Sequence, residues 1–321
     1  MRAMIHDAYG SPELLKLREI DQPTIGDDEI LVRVHAAGLN PADCFSVRGE
    51  PFVVRMMTGL LKPRHGVPGL DMAGQVTAVG KSVRMFKPGD EVFGSCNGSC
   101  AEYASTKENQ LAPKPANLTP VQAAALSTAG LAALHGLRDA GKLQAGQKVL
   151  INGAAGGVGT FAVQIAKAFG AEVTGVCGTA NVELVRSLGA DQVVDYTRED
   201  FTQREERYDL ILDNVENRSL SECRRVLTPR GTLIVNSGTG ASGMKLMIRL
   251  LKPLVVSPFV SQNLRRYVSM PNHADLVVLK DLAESGKLTP VVNQTYPLSR
   301  TPEALLHIEG GHARGKVVIT L

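Results

Sequence analysis

The sequence predicts an α/β protein in which a mainly β portion accompanies a doubly wound parallel sheet. Three features carry this expectation. A bare turn, Gly153-Ala154-Ala155-Gly156-Gly157-Val158-Gly159, leads from an apolar strand straight into a helical pattern. The hydrophobic spacing changes near Val121 from period two to an alternation of helices and strands. After about Phe259 the chain returns to one helix and two strand-like runs.

Before about residue 120 the runs EILVRVHAAGL, DMAGQVTAVG and EYASTKENQLAPKP are period-two or β-branched, separated by breakers such as KPGD. From Val121 the pieces VQAAALSTAGLAALHGL, QKVLING, the glycine-turn helix, AEVTGVC, NVELVRSLGA, DQVVDY, YDLILDNV, SLSECRRVL and GTLIVNSG alternate helix with strand, the pattern of a parallel sheet with crossover helices. The helix NHADLVVLKDLAESGKL and the runs TPVVNQTYPL and GKVVITL then rejoin the first part. The expected domains are 1–122, an inserted unit at 123–265, and a return segment at 266–321, with a cleft where substrate meets cofactor.

The glycine turn points to a dinucleotide. Ala154-x-Gly156-x-x-Gly159 is the G-x-G-x-x-G pattern with alanine at its first glycine, and Gly153 and Gly157 add bare positions. Lys148–Ile151 reads as a buried strand; Val158, Phe161, Ala162, Ile165 and Phe169 share one helical face, and Gly170 stands where a helix stops. Such a helix aims its first amides and positive dipole end at a pyrophosphate. The carboxylate that would hold the ribose hydroxyls of NAD is missing from Gly178, Thr179 and Ala180, while Thr179, Asn181 and Tyr196 offer hydrogen bonds to a 2′-phosphate. NADPH is therefore expected, with NADH as the alternative.

Composition narrows the class. Hydrophobic residues at 44%, charged residues at 21% and a net charge of +3 without a basic block suit a globular protein with neither a nucleic-acid nor a membrane partner. The N-terminus lacks the apolar core of a signal peptide, and no apolar run approaches the roughly 18 residues that span a bilayer, so a cytoplasmic protein is expected. Five cysteines without a C-x-x-C pair read as reduced thiols.

Across nearly its whole length the chain resembles the medium-chain dehydrogenase/reductase superfamily. The likeness is carried by AAGLNPAD at 36–43, PGLDMAGQVTAVGKSVRMFKPGDEVFG at 68–94, AAALSTAGLAAL at 123–134, GAAGGVG at 153–159, SLGADQVVDY at 187–196 and HARGKVVI at 312–319. It implies a GroES-like, mainly β catalytic domain, a Rossmann domain and hydride transfer with a nicotinamide cofactor. Where zinc alcohol dehydrogenases carry a Cys, a His-Glu pair and a third ligand, this chain has Asn40, Leu70-Asp71 and Ser127-Thr128, and their four-Cys lobe has no counterpart at 94–103. The pattern is similar to the zinc-independent branch of quinone oxidoreductases and enone reductases, so no metal and no flavin are expected.

The resemblance also implies roles. Asn40 and Thr128 match the polar pair near the nicotinamide and its ribose, Asn236-Ser237 the strand end that faces the carboxamide, and Gly315-Lys316 a pair that lies over the cofactor. Asp43 and Asp71 read equally as structural carboxylates or as participants. A site without zinc favours a quinone or an α,β-unsaturated carbonyl, because hydride addition leaves a delocalised anion, whereas a saturated ketone develops a localised alkoxide. Apolar stretches at 52–61 and 246–260 suit a bulky acceptor, lined by Phe52, Met56, Leu60, Leu250 or Leu254, or else packing. The run at 253–262 suits the sheet edge of a homodimer, as in relatives. A zinc-type alcohol dehydrogenase and a crystallin-like or RNA-binding role without catalysis stand as the rival readings.

Overall fold

The computed structural model describes residues 1–64, 66–236, 256–257, 260–311 and 313–321. They form two compact units, Met1–Leu131 with Met270–Leu321, and Ala132–Ser269.

In the first unit, a seven-stranded sheet takes in β3 (Glu29–Leu39), β4 (Asp71–Val79), β5 (Glu91–Ser95), β6 (Tyr103–Lys107), β7 (Leu111–Pro113), β14 (Val292–Pro297) and β15 (Lys316–Thr320). Its order is β14-β15-β3-β4-β5-β7, with β6 also on β3; a separate hairpin joins β1 (Arg2–Ile5) and β2 (Lys16–Glu19). The register decides what meets at one end. Antiparallel pairing sets Val317 opposite Leu39 and Gly38 opposite Asp71. Lys316, Asn40 and Asp71 therefore emerge together, although 276 and 31 positions separate Asn40 from the other two.

Three helices of this unit were not apparent in the sequence: α1 (Pro41–Arg48), α2 (Val53–Thr58) and α9 (Thr301–Glu309). Each is shorter than the window over which helical periodicity declares itself, and Pro41 and Pro302, which read as breakers, occupy first turns where a missing N–H costs nothing. The expected long helix from Val121 is divided into α3 (Pro120–Ala124) and α4 (Ser127–Leu134), with a π-helical turn, His135–Ala140, following. The remaining helix, α8, covers His273–Glu284.

The unit boundaries fall at 131/132 and 269/270, not at 122/123 and 265/266. Hydrogen bonds explain both shifts. The start of α4 is bound to Asp71 of the first unit through Thr128, whereas Arg266 pairs with Glu216, Tyr267 Oη donates to Ala132 O, and Ser269 Oγ meets His135 Nδ1 within the second unit.

The second unit is a doubly wound sheet of six parallel strands: β8 (Lys148–Asn152), β9 (Glu172–Cys177), β10 (Gln192–Asp195), β11 (Tyr208–Asp213), β12 (Leu227–Val235) and β13 (Asn263–Arg265). Their order, β10-β9-β8-β11-β12-β13, reverses direction between β8 and β11. Helices α5 (Gly157–Ala168), α6 (Val182–Ser187) and α7 (Leu220–Arg225) belong to the crossovers, over a core that includes Leu150, Val176, Val194, Ile211 and Leu233. In sheets of this order a ligand binds beyond the carboxyl ends of the strands, at the reversal.

Candidate active site

The first unit holds a buried polar cluster centred on Asp71, whose side chain is wholly inaccessible. Its carboxylate accepts hydrogen bonds from Asn40 Nδ2 at 2.9 Å, from the Thr128 amide at 3.2 Å and from Thr128 Oγ1 at 2.5 Å. Lys316 Nζ lies 3.6 Å from it, donates to Leu39 O at 2.9 Å and donates to Asn40 Oδ1. Polarity is thereby fixed. Asn40 must present its oxygen to the ammonium and its NH2 to the carboxylate, and the Thr128 hydroxyl hydrogen is held by Asp71. Thr128, half-buried, keeps only acceptor lone pairs for anything that approaches it.

Asp43, in the first turn of α1, accepts the Asn40 amide at 2.7 Å and is 1% exposed. Burial, assisted by the charge of Asp71 and opposed by the Asn40 amide and Lys316, pushes its carboxyl up to about 7. Burial likewise pulls the Lys316 ammonium down, against the attraction of Asp71 and Asp43. Lys316 is thus buried in the first unit, at the start of β15, with its ammonium bonded to Leu39 O and Asn40 Oδ1. Gly315 precedes it with φ 77°, a conformation that favours glycine.

This cluster does not fit a catalytic zinc. The Asn40 oxygen is bound to an ammonium, position 70 is Leu, and Thr128 carries no imidazole or thiolate. Among the described residues no three His, Cys, Asp or Glu side chains are grouped to hold a metal ion.

The second unit holds the glycine turn. Gly153, at φ 77°, turns the chain out of β8. A Cβ on Gly159 would stand 2.0 Å from Gly153 O and 2.7 Å from Ala154 Cα, so only glycine lets α5 pack this closely on the turn. Gly156 caps α5 without a side chain, and a Cβ there would meet only Gly153 O, at 3.4 Å. Gly157 and Val158 open the helix, their side free of capping groups. This bare helix start suits a pyrophosphate.

At the neighbouring strand ends, Gly178 lies against Tyr196, whose hydroxyl would be 3.1 Å from a Cβ there, and Asn181 Oδ1 is buried without a partner. A buried acceptor without a donor marks a place for a bound hydroxyl. Thr179 Oγ1 donates to Asp195 Oδ2 at 2.6 Å, and Thr197 donates to Asp195 Oδ1 through N and Oγ1, at 3.0 and 2.8 Å. A carboxylate therefore does stand beside Thr179, supplied by β10 rather than by the end of β9, with Arg198 Nε 3.6 Å away. Across the reversal, Asn152 Nδ2 donates to Asp213 Oδ1 at 2.8 Å, and Asn236 Nδ2 donates to Asn214 Oδ1 at 2.8 Å. Ser237, Leu250 and Leu254 lie outside the described residues.

Sequence reading missed Asp71 as the hub and Asp195 as a neighbour of Thr179. The available signal for Asp71 was a lone carboxylate in an otherwise apolar run, LDMAG, which must find partners if it is buried.

The chain matches the alcohol dehydrogenase GroES-like domain over residues 26–117 and the zinc-binding dehydrogenase family over residues 188–319. It is 34% identical to the mitochondrial NAD(P)H oxidoreductase RTN4IP1 of Bos taurus, covering 100% of this chain and 89% of that one. The chain belongs to the medium-chain dehydrogenase/reductase superfamily, on its quinone oxidoreductase-like branch. It is also 34% identical to the chloroplastic NADPH-dependent alkenal/one oxidoreductase of Arabidopsis thaliana, over 99% of this chain and 79% of that one. Its fold superposes on a quinone oxidoreductase from Coxiella burnetii with a TM-score of 0.87 at 30% identity, covering 100% and 99% of the two chains. The protein is an oxidoreductase of this superfamily.

Proposed function

We propose that the protein uses NADPH to reduce a quinone or an α,β-unsaturated carbonyl, without zinc or flavin. The observation that carries this reading is the donor set around Asp71. Amide, hydroxyl and ammonium groups saturate one another there, so the cluster orients partners but offers no Lewis acid for a localised alkoxide. The names of the Arabidopsis and Coxiella relatives point to the same two acceptor classes.

When bound, the dihydronicotinamide supplies the hydride. The chain's own part is positioning. Gly153, Ala154, Gly156, Gly157, Val158 and Gly159 would hold the pyrophosphate on backbone amides; Gly178, Thr179, Asn181 and Tyr196 the adenosine ribose and its phosphate; Asn236 and Ser237 the carboxamide. Thr128, with its hydrogen committed to Asp71, accepts a hydrogen bond from a ribose hydroxyl or an amide. The proton that completes the reduction then comes from water. Lys316 acts through Asn40 and is a positioning residue.

NADPH is favoured over NADH because no carboxylate stands at Gly178, Thr179 or Ala180, and the nearest one, Asp195, is engaged by three hydrogen bonds and paired with Arg198. A homodimer paired along the sheet edge next to the run 253–262, where β13 is the outer strand among the described residues, fits the same reading. The test is steady-state NADPH consumption by one preparation, with its metal content measured, supplied in turn with a quinone, an enone and a saturated aldehyde. Turnover of the conjugated acceptors that survives chelation is expected; reduction of the aldehyde alone, or loss of turnover on chelation, would overturn the assignment.

A further inference from the structure

Helix α2 is built inside out. Its polar residues face the protein: the Arg55 guanidinium lies 4.7 Å from the Tyr9 ring centroid and donates to Gly49 O at 2.9 Å, while Tyr9 Oη meets Thr58 Oγ1 at 2.8 Å. Its apolar residues face outward. Phe52, Val53, Met56, Met57, Leu60 and Leu61 are between 54% and 94% exposed. A surface helix of a globular protein normally shows the reverse arrangement, and a contiguous apolar face of this size marks an interaction surface.

The charge around the face identifies what covers it. Residues 51–70 contain Arg55, Lys62 and Arg64 and no acidic residue, in a chain that has 32 of them. Lys62 and Arg64 are exposed directly after Leu61. The net charge of +3 averages this concentration away. A second copy of the chain docked through the same face would bring like charges together. Anionic lipid complements both parts, since the apolar side chains enter the acyl boundary while the cations meet the phosphates.

We propose that α2 and the following residues 59–64 form a docking face for an anionic lipid bilayer. The attachment is peripheral, because a helix of six residues reaches only the interfacial layer. It does not depend on which acceptor the enzyme reduces.

The test is flotation of the full chain with phosphatidylcholine vesicles, pure or containing about one third phosphatidylglycerol, at low and high salt. The wild-type protein should float with the anionic vesicles only, and release them in high salt. Lys62→Glu/Arg64→Glu and Met57→Glu/Leu61→Glu should each lower the bound fraction at least about tenfold. All four side chains are exposed, so wild-type melting temperatures are expected. Lys87→Glu, exposed on another loop, should bind as wild type. Failure of the wild-type chain to bind, equal binding to neutral vesicles, or unchanged binding by both double variants would overturn the proposal. So would a dimer that Met57→Glu/Leu61→Glu dissociates, which assigns the face to a second copy, or a raised acceptor KM in that variant with vesicle binding intact, which assigns it to the acceptor.

Discussion

The two units build their candidate sites by opposite means. The glycine turn of the second unit uses backbone: seven consecutive residues, no charge, and shape set by what a Cβ would strike. The Asp71 cluster of the first unit uses side chains: a buried carboxylate, ammonium and amide, joined by the half-buried hydroxyl of Thr128. A backbone site tolerates changes that spare its dihedrals and close approaches. A charged cluster tolerates only changes that keep its charges balanced, because a buried ion left without its partner is strongly destabilising. Substitutions in the two regions should therefore fail differently.

The largest effect is expected at Lys316. Lys316→Met strands Asp71 and should cost about 3–5 kcal/mol in urea unfolding, whereas the pair Lys316→Met/Asp71→Asn should recover most of that loss. If the single and double variants are equally unstable, the cluster is held by packing and not by charge. Gly159→Val should next raise the Kd for NADPH by about 100-fold or more, through the 2.0 Å clash with Gly153 O, as followed by nucleotide fluorescence. Its effect on unfolding should not depend on pH, in contrast to that of the cluster.

Asp43 sharpens the contrast by titration. Its folded value of about 7 lies above the ordinary carboxylate value, so the folded chain binds the proton more tightly than the unfolded chain does. That contribution is intact below about pH 4 and is lost as pH rises through 7. Asp43→Asn should therefore match wild type only below about pH 4 and exceed it by a margin that grows to roughly 4 kcal/mol by pH 8, measured by urea unfolding. Parallel curves for the two proteins would show that Asp43 does not titrate in this range. The smallest effect falls on the second unit's rim. Arg198→Glu should raise KM for NADPH about tenfold and leave KM for NADH unchanged, since the side chain is 77% exposed and acts by charge alone.

The same contrast explains what was legible in the sequence. The glycine turn, the strand before it and the helix after it are local, so spacing alone revealed them. Asn40, Thr128 and Lys316 were singled out by resemblance, but their bonding to one another was not. Partners separated by 31, 57 and 276 positions meet only because β15, β3 and β4 pair in one register. Asp71 went unassigned for that reason, and Asp195 because its contact with Thr179 crosses from one strand end to the next. Helices α1, α2 and α9 were hidden by their length, and α1 and α9 also by proline in their first turns.

Hydride delivery to a conjugated carbon, rather than to a carbonyl carbon, is what the proposed reaction most depends on. NADPH deuterated at C4, prepared separately on each face, should be supplied with an enone, and the product examined by mass spectrometry and NMR. One face should place a single deuterium on the β-carbon of a saturated ketone, with the α-position taking its hydrogen from solvent. Deuterium at the carbonyl carbon of an allylic alcohol would contradict the claim.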